Sequence, residues 1–253
     1  TYITQKRRTM TTLHWKVIFF QLISTLATIQ GRYSSFRHND LKANNVLVSE
    51  TRIAGSKHEY TTLGEIYNVP NLGIQIKLWD FDFACIPGII DNQKVTIATE
   101  WSRGINVGIT QNRYYDIHFF FNTLVRKRGF FPELLRSDDI SNEVKDFVLS
   151  IVPKELQYGD HLAEGGRILY DTEYVIPANI LNNNPFFAEF RFKKAQISRG
   201  PQLNGLLRTH SVKERVNTKK YVKQNYSKDR NRSTKKGRLT RELERELMDK
   251  LGR

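Results

Sequence analysis

Apolar side chains recur at three- and four-residue steps through Leu13, Val17, Phe20, Ile23, Leu26 and Ile29, and Trp15, Ile18, Phe19 and Leu22 widen the stripe. This period predicts a helix over residues 10–30 that is buried on most sides. Gln21, Ser24, Thr25 and Thr28 interrupt the run, which follows a basic stretch and leads to no small-residue cleavage site. It therefore reads as a core helix, not a membrane span. Val46, Leu47 and Val48 predict a short strand, and Ile74, Ile76 and Leu78 alternate as a second. Between them, Gly55, Gly64, Pro70, Asn71 and Gly73 mark an enlarged loop with room for a hairpin of its own. Residues 84–113 pass through Pro87, Gly88, Gly104 and Gly108 without a period, as long functional loops do. Residues 114–125, YYDIHFFFNTLV, predict a buried helix, and shorter amphipathic stretches follow at 141–152 and 172–181. Leu239, Leu243, Leu247 and Leu251 recur every four residues and predict a terminal amphipathic helix. The pattern is that of a mainly α chain with a small β-hairpin element, and no internal repeat is visible.

Composition adds two constraints. With 253 residues, 39% of them hydrophobic and 11% aromatic, the chain can build a sizeable core. Its single cysteine, Cys85, excludes an internal disulfide framework and suits a reducing, intracellular compartment. The formal charge of +14 is unevenly placed: residues 201–253 hold 16 Lys plus Arg against 6 Asp plus Glu, a net +10. Residues 208–238 have too few apolar side chains to offset the entropy of ordering, so 201–253 is expected to be a flexible basic tail following a folded region over 1–200. Such a tail can simply be solvated, or it can contact nucleic acid or an acidic partner, with Tyr221 and Tyr226 available to stack on bases. Ser211, Ser233 and Thr234 lie among its basic residues as candidate sites of self-modification.

The candidate chemistry lies in FRHNDLKANNVLV, residues 36–48, and in DFDF, residues 80–83. Phosphoryl transfer needs a positioned hydroxyl, held metal ions and stabilised charge on the phosphoryl oxygens. Asp40 can accept a hydrogen bond from an attacking hydroxyl, and Lys42 can reach a transferring phosphate. Asn45 can offer an amide oxygen to a divalent cation, and Asp80, at a strand end, adds the anionic oxygen that a hard cation prefers.

These residues resemble the catalytic loop and metal loop of protein kinases, in the order motif, strand, loop, strand, second motif. Asp116 in YYDIHFFF resembles the buried aspartate that steadies the catalytic-loop backbone in that family. FRHNDLKANN, YYDIHFFFNTL and NNPFFAEFRF together resemble serine/threonine-kinase-like proteins of large nucleocytoplasmic DNA viruses. The resemblance covers residues 10 to about 195. It implies a kinase-like C-lobe, with Asp40 and Lys42 catalytic and Asn45 and Asp80 binding Mg2+ or Mn2+. His38 and Asp116 would be structural supports, and 84–113 the activation and substrate segment. ATP is the implied co-substrate and a protein hydroxyl the acceptor; a viral origin would place the protein in host cytoplasm or virion.

The departures from the family pattern carry expectations of their own. Asn39 replaces the arginine that couples the catalytic loop to a phosphorylated activation loop, so switching by that route is not expected. Asp82 replaces the glycine of the metal loop and is either a turn residue or an extra metal contact. No glycine-rich loop or strand lysine occurs in the 37 residues before His38. The N-lobe is thus expected from an upstream segment or another chain, and the 253 residues alone are expected to bind ATP poorly. The HND and DFD wording also resembles small-molecule kinases of the choline and aminoglycoside type, while Lys42 and the 36-residue interval from Asp80 to Asp116 favour a protein acceptor. A non-catalytic scaffold with a nucleic-acid-binding tail is the reading from a different class.

Overall fold

The computed structural model describes residues 2–192, apart from 52–54, 127, 128, 132, 133 and 164. The expectations for the basic tail and its terminal helix lie outside the described residues. After the short helix α1 (Tyr2–Lys6) comes α2 (Thr12–Arg32), against which later strands and helices pack. Residues 17–24 of α2 are buried without a break, so the helix has no solvent face through its middle. It is long and apolar enough to cross a membrane, yet 61% of its apolar stretch is buried inside the fold. Two of its polar interruptions are satisfied locally: Ser24 and Thr25 donate through their hydroxyls to the Gln21 carbonyl at 3.2 and 2.8 Å.

The strands form two separate antiparallel pairs, one more than a single hairpin element. β1 (Val46–Glu50) pairs with β4 (Ile74–Leu78), with Val46 opposite Leu78 and Glu50 opposite Ile74. Between them, β2 (Lys57–Thr62) and β3 (Glu65–Pro70) make the hairpin for which the enlarged loop left room. Its two turn residues, Leu63 and Gly64, have φ of 53° and 84°, the left-handed pair of a two-residue turn that matches strand twist. The outer edge of β3 is covered: Asn68 N donates to Phe190 O at 2.7 Å and Phe192 N to Ile66 O at 2.9 Å.

The side chain of Gln21 joins α2 to β4. Its Nε2 donates to Ile74 O and its Oε1 accepts from Ile76 N, both at 2.9 Å. A buried amide with donor and acceptor both satisfied fixes the strand's distance and register against the helix.

The segment 84–113 is less irregular than its composition predicts, because it carries α3 (Gln93–Thr96) and α4 (Glu100–Gly104). Each starts on a side-chain cap, Asn92 accepting from Lys94 N at 3.0 Å and Thr99 from Ser102 N at 3.1 Å. Helix α5 (Tyr115–Val125) is buried at every position. It is followed by α6 (Asn142–Ile151) and α7 (Pro177–Asn183). The helix expected over 172–181 begins later, at Pro177, because proline's missing N–H and fixed φ suit a first turn and not an interior. Aromatic contacts knit these elements together. Phe19 meets Phe121 edge-on at 4.9 Å, Phe147 stacks on Phe186 at 4.1 Å, and Phe20 packs on Tyr67 at 5.1 Å and Phe187 at 5.7 Å.

Candidate active site

The β1–β4 pair brings the two motifs together. Trp79 N donates to Asn45 O at 2.9 Å, extending the ladder past Leu78, so the residue after it, Asp80, emerges beside the loop that precedes β1. Asp40 is 4% exposed. Its Oδ2 accepts from Lys42 Nζ at 2.8 Å and from Asn45 Nδ2 at 3.1 Å. Asn45 Nδ2 also donates to the Asp40 carbonyl at 2.9 Å and lies 3.4 Å from Asp80 Oδ2. All four residues singled out for catalysis and metal binding therefore share one site. Asn39 and Asp80 have φ of 63° and 64°, a left-handed conformation that Asn and Asp tolerate better than other non-glycine residues.

Asp116, in the first turn of α5, is fully buried beneath this loop. Its two carboxylate oxygens accept from His38 N at 2.7 Å and Asn39 N at 2.9 Å. Burial pushes its carboxyl above the usual range, opposed by the nearby His38 and by these N–H groups. His38 is equally buried and donates from Nε2 to Trp79 O at 3.1 Å, which fixes the tautomer; its ring lies 4.8 Å from that of Phe81. It contacts the metal loop through the Trp79 carbonyl and the Phe81 ring.

Asn39, which stands where the resembled family has an arginine, bonds directly to both neighbouring segments. Its Nδ2 donates to Phe83 O at 2.9 Å and Gly108 O at 3.1 Å, and its Oδ1 accepts from Gly108 N at 3.3 Å. The metal loop and the far end of the 84–113 segment are thus tied directly to the catalytic loop. Cys85 packs beside this link, and burial pushes its thiol up, away from the reactive thiolate. Asp82 is exposed and paired with Lys94 at 2.8 Å, and it is absent from the left-handed residues, so its place in the loop does not demand glycine.

Two arginines escaped the motif analysis. Arg37 is fully buried, lies 3.8 Å over the Tyr115 ring and donates to the Thr110 carbonyl at 3.2 Å. Its position next to His38 was the available signal. Arg167 donates from Nη2 to Asp40 Oδ1, and nothing local marks it, since 127 positions separate the two.

The donor set fits a hard divalent cation. With Nδ2 committed to the Asp40 carbonyl, Asn45 keeps Oδ1 for a metal, and the Asp80 carboxylate lies alongside. Among the described residues no three His, Cys, Asp or Glu side chains cluster as a self-sufficient metal cage. One carboxylate and one amide are what a magnesium ion uses when phosphate oxygens and water complete its shell.

The order of these loops along the chain, and their meeting over a buried helical aspartate, define a kinase-like protein. Comparison with protein families gives the same class: residues 6–161 match the family described as poxvirus serine/threonine protein kinase. The mimivirus protein R400, from Acanthamoeba polyphaga mimivirus and provisionally named a serine/threonine-protein kinase, is 43% identical over 201 residues, 76% of this chain and 42% of its own length. Serine/threonine-protein kinase 2 of fowlpox virus is 30% identical over 116 residues, 46% of this chain and 23% of the relative. The variola virus protein of the same name is 31% identical over 136 residues, 53% and 27% respectively. The chain belongs to the poxvirus serine/threonine protein kinase family, and it spans less than half the length of these curated relatives.

Proposed function

We propose that this chain carries the catalytic and metal loops of a protein kinase that transfers the ATP γ-phosphoryl group to a serine or threonine hydroxyl. The observation that carries the reading is the convergence of Asp40, Lys42, Asn45 and Asp80. Asp40 accepts the hydrogen bond of the acceptor hydroxyl, aligns its oxygen and takes up its proton as attack proceeds. Lys42, held at 2.8 Å from Asp40, balances charge between that carboxylate and the incoming phosphoryl oxygens. Asn45 and Asp80 would hold Mg2+ or Mn2+, which when bound neutralises the phosphate oxygens. Asp116 and His38 keep the loop backbone in place for these steps.

A polypeptide acceptor is favoured over a small molecule by the 84–113 segment. It presents Ile89, Ile90, Ile97 and Trp101 to solvent, apolar side chains suited to contact an extended chain. Leu47, Trp79 and Phe81, beside the metal loop, are 45%, 62% and 49% exposed, an apolar surface suited to a nucleotide base and a covering lobe. Full activity is accordingly assigned to a longer protein that adds a glycine-rich loop and a strand lysine. The basic residues of 201–253 would contact nucleic acid or another acidic partner.

The test is turnover with ATP and a generic Ser/Thr protein substrate, using the full-length protein that carries this chain, for Asp40→Asn and Asp80→Ala. Both variants should lose turnover by about 10³-fold or more while keeping the wild-type circular dichroism spectrum. Near-normal turnover in either would remove the mechanism. Phosphorylation of choline or an aminoglycoside in preference to protein would transfer the site to the small-molecule class.

A further inference from the structure

Asp40 has one carboxylate oxygen, Oδ2, engaged by Lys42 and Asn45 from its own loop. The other, Oδ1, is engaged from far away by Arg167. The guanidinium is half of a buried ion pair, the two side chains being 14% and 6% exposed, and it lies 4.3 Å over the ring of Phe119 on α5. We infer that Arg167 is a positioning residue for Asp40. It holds the carboxylate plane so that Oδ2 stays with Lys42 and Asn45 while Oδ1 keeps a lone pair directed to the acceptor hydroxyl. This deepens the kinase reading and rests on it.

An alternative role would be a plug that occupies the acceptor's place and must leave before reaction. The surroundings of Arg167 oppose this. Its turn is closed by Gly166 N donating to Ala163 O at 2.7 Å and Ala163 N donating to Arg167 O at 2.9 Å, and Leu169 N donates to His161 O at 2.8 Å. Asn122 of α5 donates to Gly166 O at 2.8 Å, and Asn106, just after α4, donates to Ile168 O at 3.0 Å. A side chain stacked on a buried aromatic, on a turn tied to both α5 and the 84–113 segment, is built to stay. A carboxylate oxygen has two acceptor directions, so one guanidinium N–H on Oδ1 leaves the second for a hydroxyl. The planar fork sets the carboxylate's rotation, which a lysine ammonium, as a point charge, does not.

The test uses Arg167→Met and Arg167→Lys in the full-length protein, with kcat referred to titrated active sites. Arg167→Met should lower kcat by about 100-fold with KM for ATP changed less than about threefold, the signature of a misplaced hydroxyl acceptor. Arg167→Lys should recover about tenfold of that loss. A kcat for Arg167→Met within twofold of wild type, or above it as a departing plug requires, overturns the inference. If Arg167→Met does not fold, Arg167→Lys decides alone: about tenfold below wild type supports positioning, and equality refutes it. A second readout needs no activity. In a thermal double-mutant cycle with Asp40→Asn, Arg167→Met should lower Tm less than it does in the wild-type background, and additive shifts would show that the pair is not made. Wild-type turnover in Asp40→Asn would defeat the kinase mechanism itself, whereas an inactive Asp40→Asn beside a fully active Arg167→Met would defeat only the role of Arg167.

Discussion

At the scale of single residues, the fold depends on buried polar groups with one protonation state each. His118, on α5 two positions from Asp116, donates from Nε2 to Leu156 O at 2.8 Å, so its Nδ1 is the unprotonated nitrogen, and that atom is buried without a partner. Burial pushes its pKa down from the ordinary 6.5 to about 4, with nearby His161 adding to the shift. The folded state therefore refuses a proton that the unfolded chain accepts. The stabilisation is complete above pH 6.5 and is lost as pH falls toward about 4, an effect on the order of 3 kcal/mol. His118→Gln keeps a donor for Leu156 O and removes the titration, so urea midpoints measured from pH 7 to 4.5 should fall less steeply than in the wild type. At this scale the motif residues were legible because they lie close together in the sequence, in an order that resembles the loops of protein kinases. The partners of Asn39 were not legible, since an amide advertises no address; only the folded chain shows it tied to Phe83 and Gly108.

At the scale of elements, the periodicity of residues 10–30 and 114–125 specified α2 and α5 within about two residues, because near-continuous apolar runs of that length can only be buried helices. The short helices α3 and α4 were missed, having no room for a period, although the capping residues Asn92 and Thr99 were visible signals. Gln21 had been only an interruption in an apolar stripe, and it is the joint between α2 and β4. Gln21→Leu leaves the Ile76 N–H and the Ile74 carbonyl without this partner inside the core. It should cost about 2–4 kcal/mol in urea denaturation. Since β4 delivers Asp80, faster amide exchange over residues 74–81 should accompany the loss; unchanged stability and exchange would show that the joint is dispensable.

At the scale of the whole molecule, charge is concentrated towards one end: residues 201–253 carry +10 of the formal +14. If the tail contacts nucleic acid, affinity for a short oligonucleotide should fall by about 10²-fold or more between about 50 and 200 mM salt, as counterion release requires. Deleting residues 201–253 should abolish that binding, and binding that survives the deletion would assign it elsewhere. By itself the sequence determined the two helices of the core and the two strands that flank the enlarged loop, and it singled out Asp40, Lys42, Asn45 and Asp80 as candidates. These rest on local periodicity and on the chemistry of a few side chains. Only the tertiary structure decided that Arg167 reaches Asp40, that Arg37 and Asn39 fasten residues 106–110, and that Gln21 sets β4 against α2. The physical reason is that these are pairings between single polar groups far apart in the chain. Their partners are chosen by which buried donors and acceptors the packed core leaves to be satisfied.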